Sequence, residues 1–324
     1  MINLTLRQLR YFDALTRHGH FGRAAEACAI SQPALSMQIK EMERALGGML
    51  LERGARQVAL TRFGEEITER VRDILRSVDE LGDFARASRD RLAGRLRIGM
   101  IPTIAPYLLP KIIGNLSRLH PELDIQVRET LTPRLIQELS EGRLDTAIVA
   151  LPVSEPSLTE AALFSENFLL VRPRKDEGTP VPSRESLREM RLLLLEEGHC
   201  FRDQALSFCK SQSSGSREIP REVSREVSRE MLDANSLSTL VQMVSAGIGV
   251  TLIPEMAVAV ETRSAAVSVA RFKNPQPSRT IGMVWRKTSP LARQLMQISE
   301  VVCLSAGKAS RRHANGSPPR GLRA

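Results

Sequence analysis

The chain has 324 residues, of which 42% are hydrophobic and 4% aromatic, and its net charge is +9. This length predicts two or three domains, and the scarcity of aromatic side chains argues against a surface that stacks sugars or single-stranded bases. No stretch approaches the roughly 18 apolar residues of a membrane helix, and the N-terminus MINLTLRQLR has no signal-peptide pattern. We therefore expect a cytoplasmic protein without a membrane segment, in which a lasting structural disulfide would be unusual.

The positive charge is concentrated at the two ends of the chain. Residues 304–324 contain five basic residues and no acid, and they are rich in Gly, Ser and Pro, which predicts a disordered basic tail. Residues 1–62 contain nine Lys and Arg against five Asp and Glu. The net charge by itself is therefore weak evidence for nucleic-acid binding.

Two short helices are predicted at the N-terminus. Leu6, Leu9, Phe12 and Leu15 recur at three-residue spacing, as one face of a first helix would. Residues 21–28, FGRAAEAC, predict a short second helix whose alanines permit the close approach of a neighbouring helix.

A third helix is predicted after the turn AIS, with Ser31 as its N-cap and Pro33 in its first turn. Its predicted buried stripe consists of Leu35, Ile39, Met42 and Leu46. The other faces are polar. A short helix, a turn and a polar-faced helix are typical of a helix-turn-helix, whose second helix enters the major groove of DNA. A purely structural helical hairpin is the alternative.

After Gly47, the segment LLERGARQVALT predicts a β-hairpin wing with Arg53 and Arg56 near its tip. The candidate DNA-binding residues of the third helix and the wing are Ser31, Gln32, Pro33, Ala34, Ser36, Gln38, Lys40, Arg53 and Arg56. Residues 63–92 then have a helical composition and a heptad-like seam of apolar residues, namely Ile67, Val71, Ile74, Val78, Leu81 and Ala85. Such a seam favours a long helix that pairs with a second copy, although a helix packed on its own domain would show the same stripe.

From residue 95 onward, predicted strands alternate with predicted helices, which implies a parallel sheet covered by helices on both faces. The first set comprises strand 95–101, helix 105–119, strand 124–129, helix 133–141 and strand 145–151. The second set comprises strand 167–173, strand 192–197, a helix near Cys200, helix 236–246 and strand 249–254, and a late strand at 279–285 is expected to return to the first set. Thr103, Thr132 and Arg279 lie at or next to strand ends, so they are expected to line one cleft.

Two of the four cysteines lie in the segment GHCFRDQALSFC, residues 198–209. Cys200 has His199 and Arg202 as close neighbours and falls near the first turn of a predicted helix, where unpaired backbone N–H groups favour a thiolate. Cys200 is thus a candidate reactive thiol and Cys209 its candidate partner. Because a C-x8-C pair matches no general metal or redox motif, cysteines that only fill space are the alternative.

The segment AAEACAISQPALSMQIKEMERALG, followed by LLERGARQVALTRFG, resembles the winged helix-turn-helix of LysR-type transcriptional regulators, with Leu51 and Phe63 as apolar departures. The second half resembles the two-lobed α/β sensor domain of that family, which is periplasmic-binding-protein-like. The resemblance implies an N-terminal all-α winged helix-turn-helix DNA-binding domain at 1–62 and a linker helix at 63–92 that pairs two subunits. It further implies a C-terminal regulatory domain at 93–303, which the basic tail at 304–324 follows.

Several blocks are similar to the members of this family that sense hydrogen peroxide: IPTIAPYLLP, the LTP around Thr132, EEGHCFRDQALSFC, GIGVTLIPEMAV and SRTIGMVWR. This resemblance, which runs over residues 4–302, implies that Cys200 is the peroxide-reactive thiol and that Cys209 is the resolving thiol. It implies a peroxide pocket formed by Thr103, Thr132, His199, Asp203 and Arg279. The implied partners are promoter DNA, further copies of the chain in a homodimer or homotetramer, hydrogen peroxide and a cytosolic thiol reductant, with RNA polymerase as a candidate. No cofactor and no metal are implied.

Two other functions stay open from the sequence. A metabolite-responsive regulator of the same family would bind a small carboxylate in the cleft, and its cysteines would be incidental. A thiol peroxidase would use the same cysteines as an enzyme, but the DNA-binding third would then be unexplained. Residues 211–231 depart from the family pattern through a tandem REVS repeat, which predicts a solvated insertion directly after Cys209.

Overall fold

The computed structural model describes residues 3–52, 58–87, 92–209 and 233–307. The chain divides into two compact units, Met1–Ser88 and Arg89–Ala324. The predicted wing residues Arg53 and Arg56, the REVS repeat and the tail from residue 308 lie outside the described residues. Within the described ranges, no helix combines the length and the apolar character that a membrane crossing requires.

The described part of the N-terminal unit contains four helices: α1 (Leu6–His18), α2 (Phe21–Ala27), α3 (Gln32–Leu46) and α4 (Arg62–Ala87). Capping side chains define where they begin. Thr5 and Gln8 form a capping box at α1, and the predicted N-cap of α3 is confirmed, because Ser31 Oγ accepts a hydrogen bond from Ala34 N.

The predicted stripes of α1 and α3 meet in one hydrophobic core with part of α4. Its buried members include Leu9, Phe12, Leu15, Leu35, Ile39, Met42 and Val71. Leu46 packs at the margin of this core. Leu6 is the first residue of α1, at the end of this face, and is 45% exposed.

The base of the predicted wing is an antiparallel pair between Leu51 and Leu60. Thr61 follows directly and begins α4, because its Oγ1 accepts a hydrogen bond of 2.9 Å from Gly64 N. The helix can approach the wing this closely only at a glycine, since a Cβ at position 64 would lie 2.1 Å from the carbonyl oxygen of Leu50.

Helix α4 has 26 residues, and its unit buries only the first part of the predicted seam. Val71 is 3% exposed and Ile67 packs against the core. Farther along the helix, Ile74, Leu81 and Phe84 are 46%, 70% and 68% exposed. The second half of α4 therefore carries exposed apolar side chains that the core of its own unit does not cover.

The second unit is a nine-stranded mixed sheet with helices packed against it. Its strands are β1 (Gly94–Met100), β2 (Leu123–Glu129), β3 (Thr146–Leu151), β4 (Leu158–Pro173), β5 (Leu192–Leu195), β6 (Asp233–Ala234), β7 (Val250–Pro254), β8 (Val267–Ala270) and β9 (Ser278–Arg286). Its described helices are α5 (Ala105–Leu119), α6 (Thr132–Ser140), α7 (Arg184–Glu189), α8 (Cys200–Cys209), α9 (Leu237–Ser245), α10 (Val258–Glu261) and α11 (Ala292–Ser305).

The strand order is β2-β1-β3-β9-β4-β7-β5-β6, and β8 pairs with β4. Strand β1 runs parallel to β2 and β3, and β5 runs parallel to β6 and β7. Strands β4 and β9 run antiparallel to their neighbours. The prediction of a purely parallel sheet is therefore wrong. Strand β4 also begins at Leu158 rather than at Asn167, because its first half pairs with β9 and its second half with β7 and β8.

The late strand β9 does return to the first set of strands, as predicted, since it lies between β3 and β4. Helix α11 extends beyond the predicted end of the domain. It includes Leu304 and Ser305, which the sequence analysis assigned to the basic tail. Ser305 is buried, and its hydroxyl is satisfied there because its Oγ donates to Val301 O and accepts from Asn115 Nδ2.

Candidate redox and DNA-binding sites

Helix α8 begins at Cys200, so the predicted position of this thiol in the first turn is confirmed. The residue at the preceding bend is Gly198, whose φ of +92° lies in the left-handed region. A Cβ there would also lie 3.0 Å from Leu131 Cδ1, so both the backbone conformation and the close packing require glycine. The bend carries the chain from β5 into α8 and holds Cys200 opposite the loop that follows β2.

The residues around Cys200 line a small cleft that is nearly closed in this conformation and leaves no free space for a water-sized molecule. Its walls come from three segments: Ile101, Pro102 and Thr103 after β1, Leu131 and Thr132 after β2, and residues 198–201 at the start of α8. The structure therefore brings Thr103, Thr132, His199 and Cys200 together, as predicted. The apolar walls, Ile101 and Leu131, carry no polar chemistry and were not singled out from the sequence.

Thr132 provides the clearest sign that the cleft can accept a polar ligand. Its Oγ1 is buried and has no hydrogen-bond partner among the described residues. A buried hydroxyl without a partner costs about 1–3 kcal/mol, and that cost is removed when a ligand with hydrogen-bonding oxygens enters. Hydrogen peroxide, which both donates and accepts hydrogen bonds, matches this chemistry, and the walls of the cleft must move apart slightly to admit it.

Arg279 lies behind the cleft and does not line it, which corrects its predicted place. Its Nη1 donates to Thr103 Oγ1 at 2.8 Å and its Nη2 donates to Thr103 O at 3.0 Å. The same guanidinium pairs with Glu166 at 2.9 Å, and both side chains are almost completely buried. Arg279 on β9 and Glu166 on β4 are direct neighbours in register. The ion pair therefore fixes the orientation of the Thr103 hydroxyl, which does line the cleft.

Asp203 is exposed in the first turn of α8 and is not among the residues that line the cleft. Residues three apart lie about 60° apart around a helix, so Asp203 is offset from Cys200, and its carboxylate is exposed to solvent. The arginine near Cys200 is also committed elsewhere, since Arg202 Nη1 donates to Leu195 O at 2.7 Å and to Asp233 Oδ1 at 2.6 Å. Neither residue is placed to act on a ligand in the cleft.

His199 is 8% exposed, and burial lowers the pKa of its imidazole from the usual 6.5 despite the opposing influence of the Glu196 carboxylate. The imidazole is thus neutral near pH 7. This corrects the expectation that a charged histidine favours a thiolate at Cys200. At neutral pH, His199 is therefore a neutral imidazole that can donate one hydrogen bond and accept another.

This lowered pKa predicts a pH-dependent loss of stability. The histidine of the unfolded chain takes up a proton as the pH falls through about 6.5, whereas folded His199 resists protonation. We therefore expect the free energy of unfolding to decrease from about pH 7 to pH 5 and to decrease less in His199→Gln. Urea unfolding at several pH values, followed by Trp285 fluorescence, measures this difference. Identical pH profiles would contradict the assignment.

The remaining described cysteines occupy different environments. Cys28 packs against the core of the N-terminal unit, and burial raises the pKa of its thiol. Cys303 is 2% exposed, with its Sγ 3.7 Å from Leu163 O. Cys209 is the last residue of α8, and its side chain is not among the described parts of the structure.

We expect Cys28 and Cys303 to react slowly with hydrogen peroxide, because one thiol is held protonated and the other is inaccessible. Mass spectrometry of the native protein after a short exposure should find Cys200 oxidised first. Oxidation of Cys28 or Cys303 at the rate of Cys200 would overturn this assignment.

The candidate DNA-binding face of α3 is open to solvent. Ser31, Gln32, Pro33 and Lys40 are exposed, and Ala34, Ser36 and Gln38 are partly exposed. The Ser31 hydroxyl is engaged in capping α3, and the Gln38 amide donates to Glu41 at 2.9 Å. Gln32 and Ser36 therefore remain as the polar side chains of this face best placed to contact bases.

Comparison with known proteins assigns both parts of the chain to one family. Residues 6–65 match the bacterial regulatory helix-turn-helix protein family named lysR, and residues 89–302 match the LysR substrate binding domain. The chain is 40% identical over 304 residues to the Escherichia coli K12 DNA-binding transcriptional dual regulator OxyR, covering 92% of this chain and 95% of that protein. It is 37% identical over 303 residues to the hydrogen peroxide-inducible genes activator of Haemophilus influenzae, covering 92% and 96% of the two chains.

Two solved structures are similar over nearly the whole chain. One is a full-length OxyR variant from Pseudomonas aeruginosa in which aspartate replaces a cysteine, with a TM-score of 0.73, 33% identity and coverage of 96% of this chain and 99% of that one. The other is a cysteine variant of Corynebacterium glutamicum OxyR bound to hydrogen peroxide, with a TM-score of 0.61, 31% identity and coverage of 94% and 93%. The chain belongs to the LysR family of bacterial helix-turn-helix transcriptional regulators.

Proposed function

We propose that this regulator senses hydrogen peroxide through a reversible thiol–disulfide switch between Cys200 and Cys209 and thereby controls antioxidant genes. The observation that carries the proposal is the position of Cys200 at the N-terminus of α8, in a cleft that also contains the unpartnered hydroxyl of Thr132. The names of its relatives support the same chemistry, since they are described as hydrogen peroxide-inducible activators.

The proposed reaction has two steps. The Cys200 thiolate attacks one oxygen of hydrogen peroxide, the O–O bond breaks, and the products are a sulfenic acid and hydroxide, which takes a proton to become water. The Cys209 thiol then attacks the sulfenic sulfur, a disulfide forms, and the hydroxyl leaves as a second water. A cytosolic dithiol carrier returns two electrons and restores both thiols.

In the proposed first step, the polar side chains of the cleft have different roles. Thr103 and Thr132 bind and orient the peroxide through their hydroxyls, and Arg279 acts on Thr103 by fixing its rotamer. Neutral His199 donates or accepts one further hydrogen bond. Backbone N–H groups at the start of α8 stabilise the negative charge on Cys200.

The N-terminal unit provides the output by binding promoter DNA through α3 and the wing. The exposed apolar residues of α4, Ile74, Leu81 and Phe84, support a homodimer in which two such helices pair, since an apolar surface of this kind marks an interaction site. Pairing of dimers into a homotetramer and contact with RNA polymerase are further parts of the proposal. The protein acts in the cytoplasm, where its DNA and its dithiol reductant are found, and its oxidation is a signal and not an enzymatic turnover.

DNA footprinting of the reduced and the peroxide-treated protein on its own upstream region tests this function. We expect the protected region to change on oxidation and to return after treatment with a dithiol. A footprint that responds to small carboxylates and not to peroxide would instead identify a metabolite-responsive regulator. Catalytic consumption of peroxide with a reductant by the full chain would identify a thiol peroxidase.

Base contacts from α3 predict a selective effect on specific binding. Gln32→Ala or Ser36→Ala should weaken binding to the promoter by about 1–3 kcal/mol and leave non-specific binding nearly unchanged, because phosphate contacts carry no sequence information. Titration of promoter and random duplexes at the same salt concentration measures both affinities. An equal loss on the two duplexes would show that these side chains do not contact base edges.

A further inference from the structure

The C-terminal end of α8 is held by a phenylalanine packed between a ring and an arginine. The Phe208 ring lies 5.1 Å from the Phe272 ring at an interplanar angle of 65°. On α7, the Arg184 Cζ lies 4.6 Å from the centre of the Phe208 ring. These contacts join α8 to α7 and to the segment after β8, and Phe208 is the residue directly before Cys209.

The other end of α8 has a similar arrangement that is buried more deeply. The Phe201 ring lies 4.8 Å from the Phe168 ring. The Arg279 Cζ lies 5.5 Å from the centre of the Phe201 ring. Phe201 is 2% exposed, and Arg279 is fixed by its ion pair and by Thr103. Phe208 and Arg184 are only partly buried. The Cys209 end of the helix is therefore the end that opens more easily.

We propose that Arg184 and Phe272 clamp Phe208 and are positioning residues that set how fast Cys209 reaches an oxidised Cys200. This inference rests on the proposed function and adds a control on its second step. The disulfide requires α8 to unwind, and unwinding from the Cys209 end must first release Phe208 from both neighbours. The clamp acts only on the closed helix, so it slows the attack of the Cys209 thiol on the Cys200 sulfenic acid without touching the peroxide.

Removing the guanidinium should increase the population of the open helix. A cation–π contact of this kind changes an equilibrium by about fivefold. In Arg184→Leu we therefore expect the Cys200 sulfenic acid to convert into the disulfide about fivefold faster, while the rate of its formation from hydrogen peroxide stays unchanged. Arg184→Lys should recover most of the wild-type rate because it keeps a cation over the ring. Phe272→Leu should accelerate the second step in the same way.

The full-length protein is treated with hydrogen peroxide and sampled over time. Dimedone labels the sulfenic acid, and mass spectrometry quantifies the labelled and disulfide-linked peptides. The matched control is Arg191→Leu, which removes the same charge from an exposed position just after α7 and should behave as the wild type. An unchanged or slower second step in Arg184→Leu and Phe272→Leu would overturn the proposal.

Hydrogen exchange of the reduced proteins tests the clamp without any oxidation. The amides of residues 205–209 should exchange about fivefold faster in Arg184→Leu than in the wild type and in Arg191→Leu. Equal exchange in all three proteins contradicts the clamp, whatever the cysteines do. Conversely, a wild-type protein that forms neither sulfenic acid nor disulfide contradicts the proposed function, while the exchange result still decides the clamp.

Discussion

The Cys200→Ser variant is expected to form no disulfide and to give the same DNA footprint with and without hydrogen peroxide. A serine hydroxyl stays protonated and does not attack peroxide, so the first step of the switch is lost completely. The Cys209→Ser variant should still form the sulfenic acid at Cys200, but the reaction should stop there because no resolving thiol is present. Mass spectrometry of the three proteins after peroxide treatment measures both outcomes.

This switch also requires a large change in α8. Cys200 and Cys209 are the first and last residues of one continuous helix, so their Cα atoms lie roughly 13 Å apart at a rise of 1.5 Å per residue. A disulfide tolerates a Cα separation of at most about 7 Å. At least one turn of α8 must therefore unwind before the two sulfurs can bond, which is feasible because a ten-residue helix is marginal without tertiary packing.

Hydrogen exchange across residues 198–209 should consequently differ between the reduced and oxidised proteins. Cys28→Ser is the matched control, because it removes a thiol outside the cleft and should keep the full response. A disulfide that forms with unchanged exchange protection would contradict the unwinding of α8. A normal peroxide response in Cys200→Ser would contradict the assignment of the sensing thiol.

Loss of the buried arginine is expected to have the largest effect on stability. In Arg279→Ala, the Glu166 carboxylate would stay buried without its cation, and removing one partner of a buried ion pair costs about 3–5 kcal/mol. Glu166 also accepts a hydrogen bond from Met256 N at 2.8 Å, so it cannot easily turn towards solvent. Loss of the guanidinium also leaves Thr103 Oγ1 without its donor.

Urea unfolding followed by fluorescence measures this loss, because Trp285 is the single tryptophan of the chain and is buried on β9. The control is Asp124→Ala, which breaks the exposed ion pair with Arg95 and should cost less than about 1 kcal/mol. The double variant Arg279→Met with Glu166→Leu should be more stable than Arg279→Ala. Equal stabilities of Arg279→Ala and Asp124→Ala would show that the buried pair does not hold β4 to β9.

Helices with strong local signals could be predicted from the sequence almost to the residue. Helix α5 has the predicted bounds of 105–119, because its apolar periodicity ends at His120 and Pro121 stops the helix. The start of α3 was equally clear, since Ser31 and Pro33 are local signals. Cys200 was found for the same reason, through its neighbours and its place at the start of a helix.

Features that depend on pairing between distant segments were missed. The antiparallel direction of β4 and β9 is set by partners more than a hundred residues apart, and no local pattern encodes it. For this reason Glu166 was not recognised as the partner of Arg279. The only sign of this role in the sequence was the position of Glu166 directly before the apolar run NFLLVRP. Asp203 was assigned to the pocket from its proximity in sequence, but its side chain is exposed to solvent and does not line the cleft.

The long strand β4 and the late strand β9 also determine when the regulatory unit can fold during synthesis. Strand β3 pairs with β1 on one side and with β9 on the other, and β9 ends at Arg286. Until the ribosome has released that residue, β3 and the first half of β4 present unpaired backbone edges that can bind other chains. The two halves of the sheet therefore cannot mature one after the other, and these edges stay unpaired in the nascent chain until almost all of the sheet has been made.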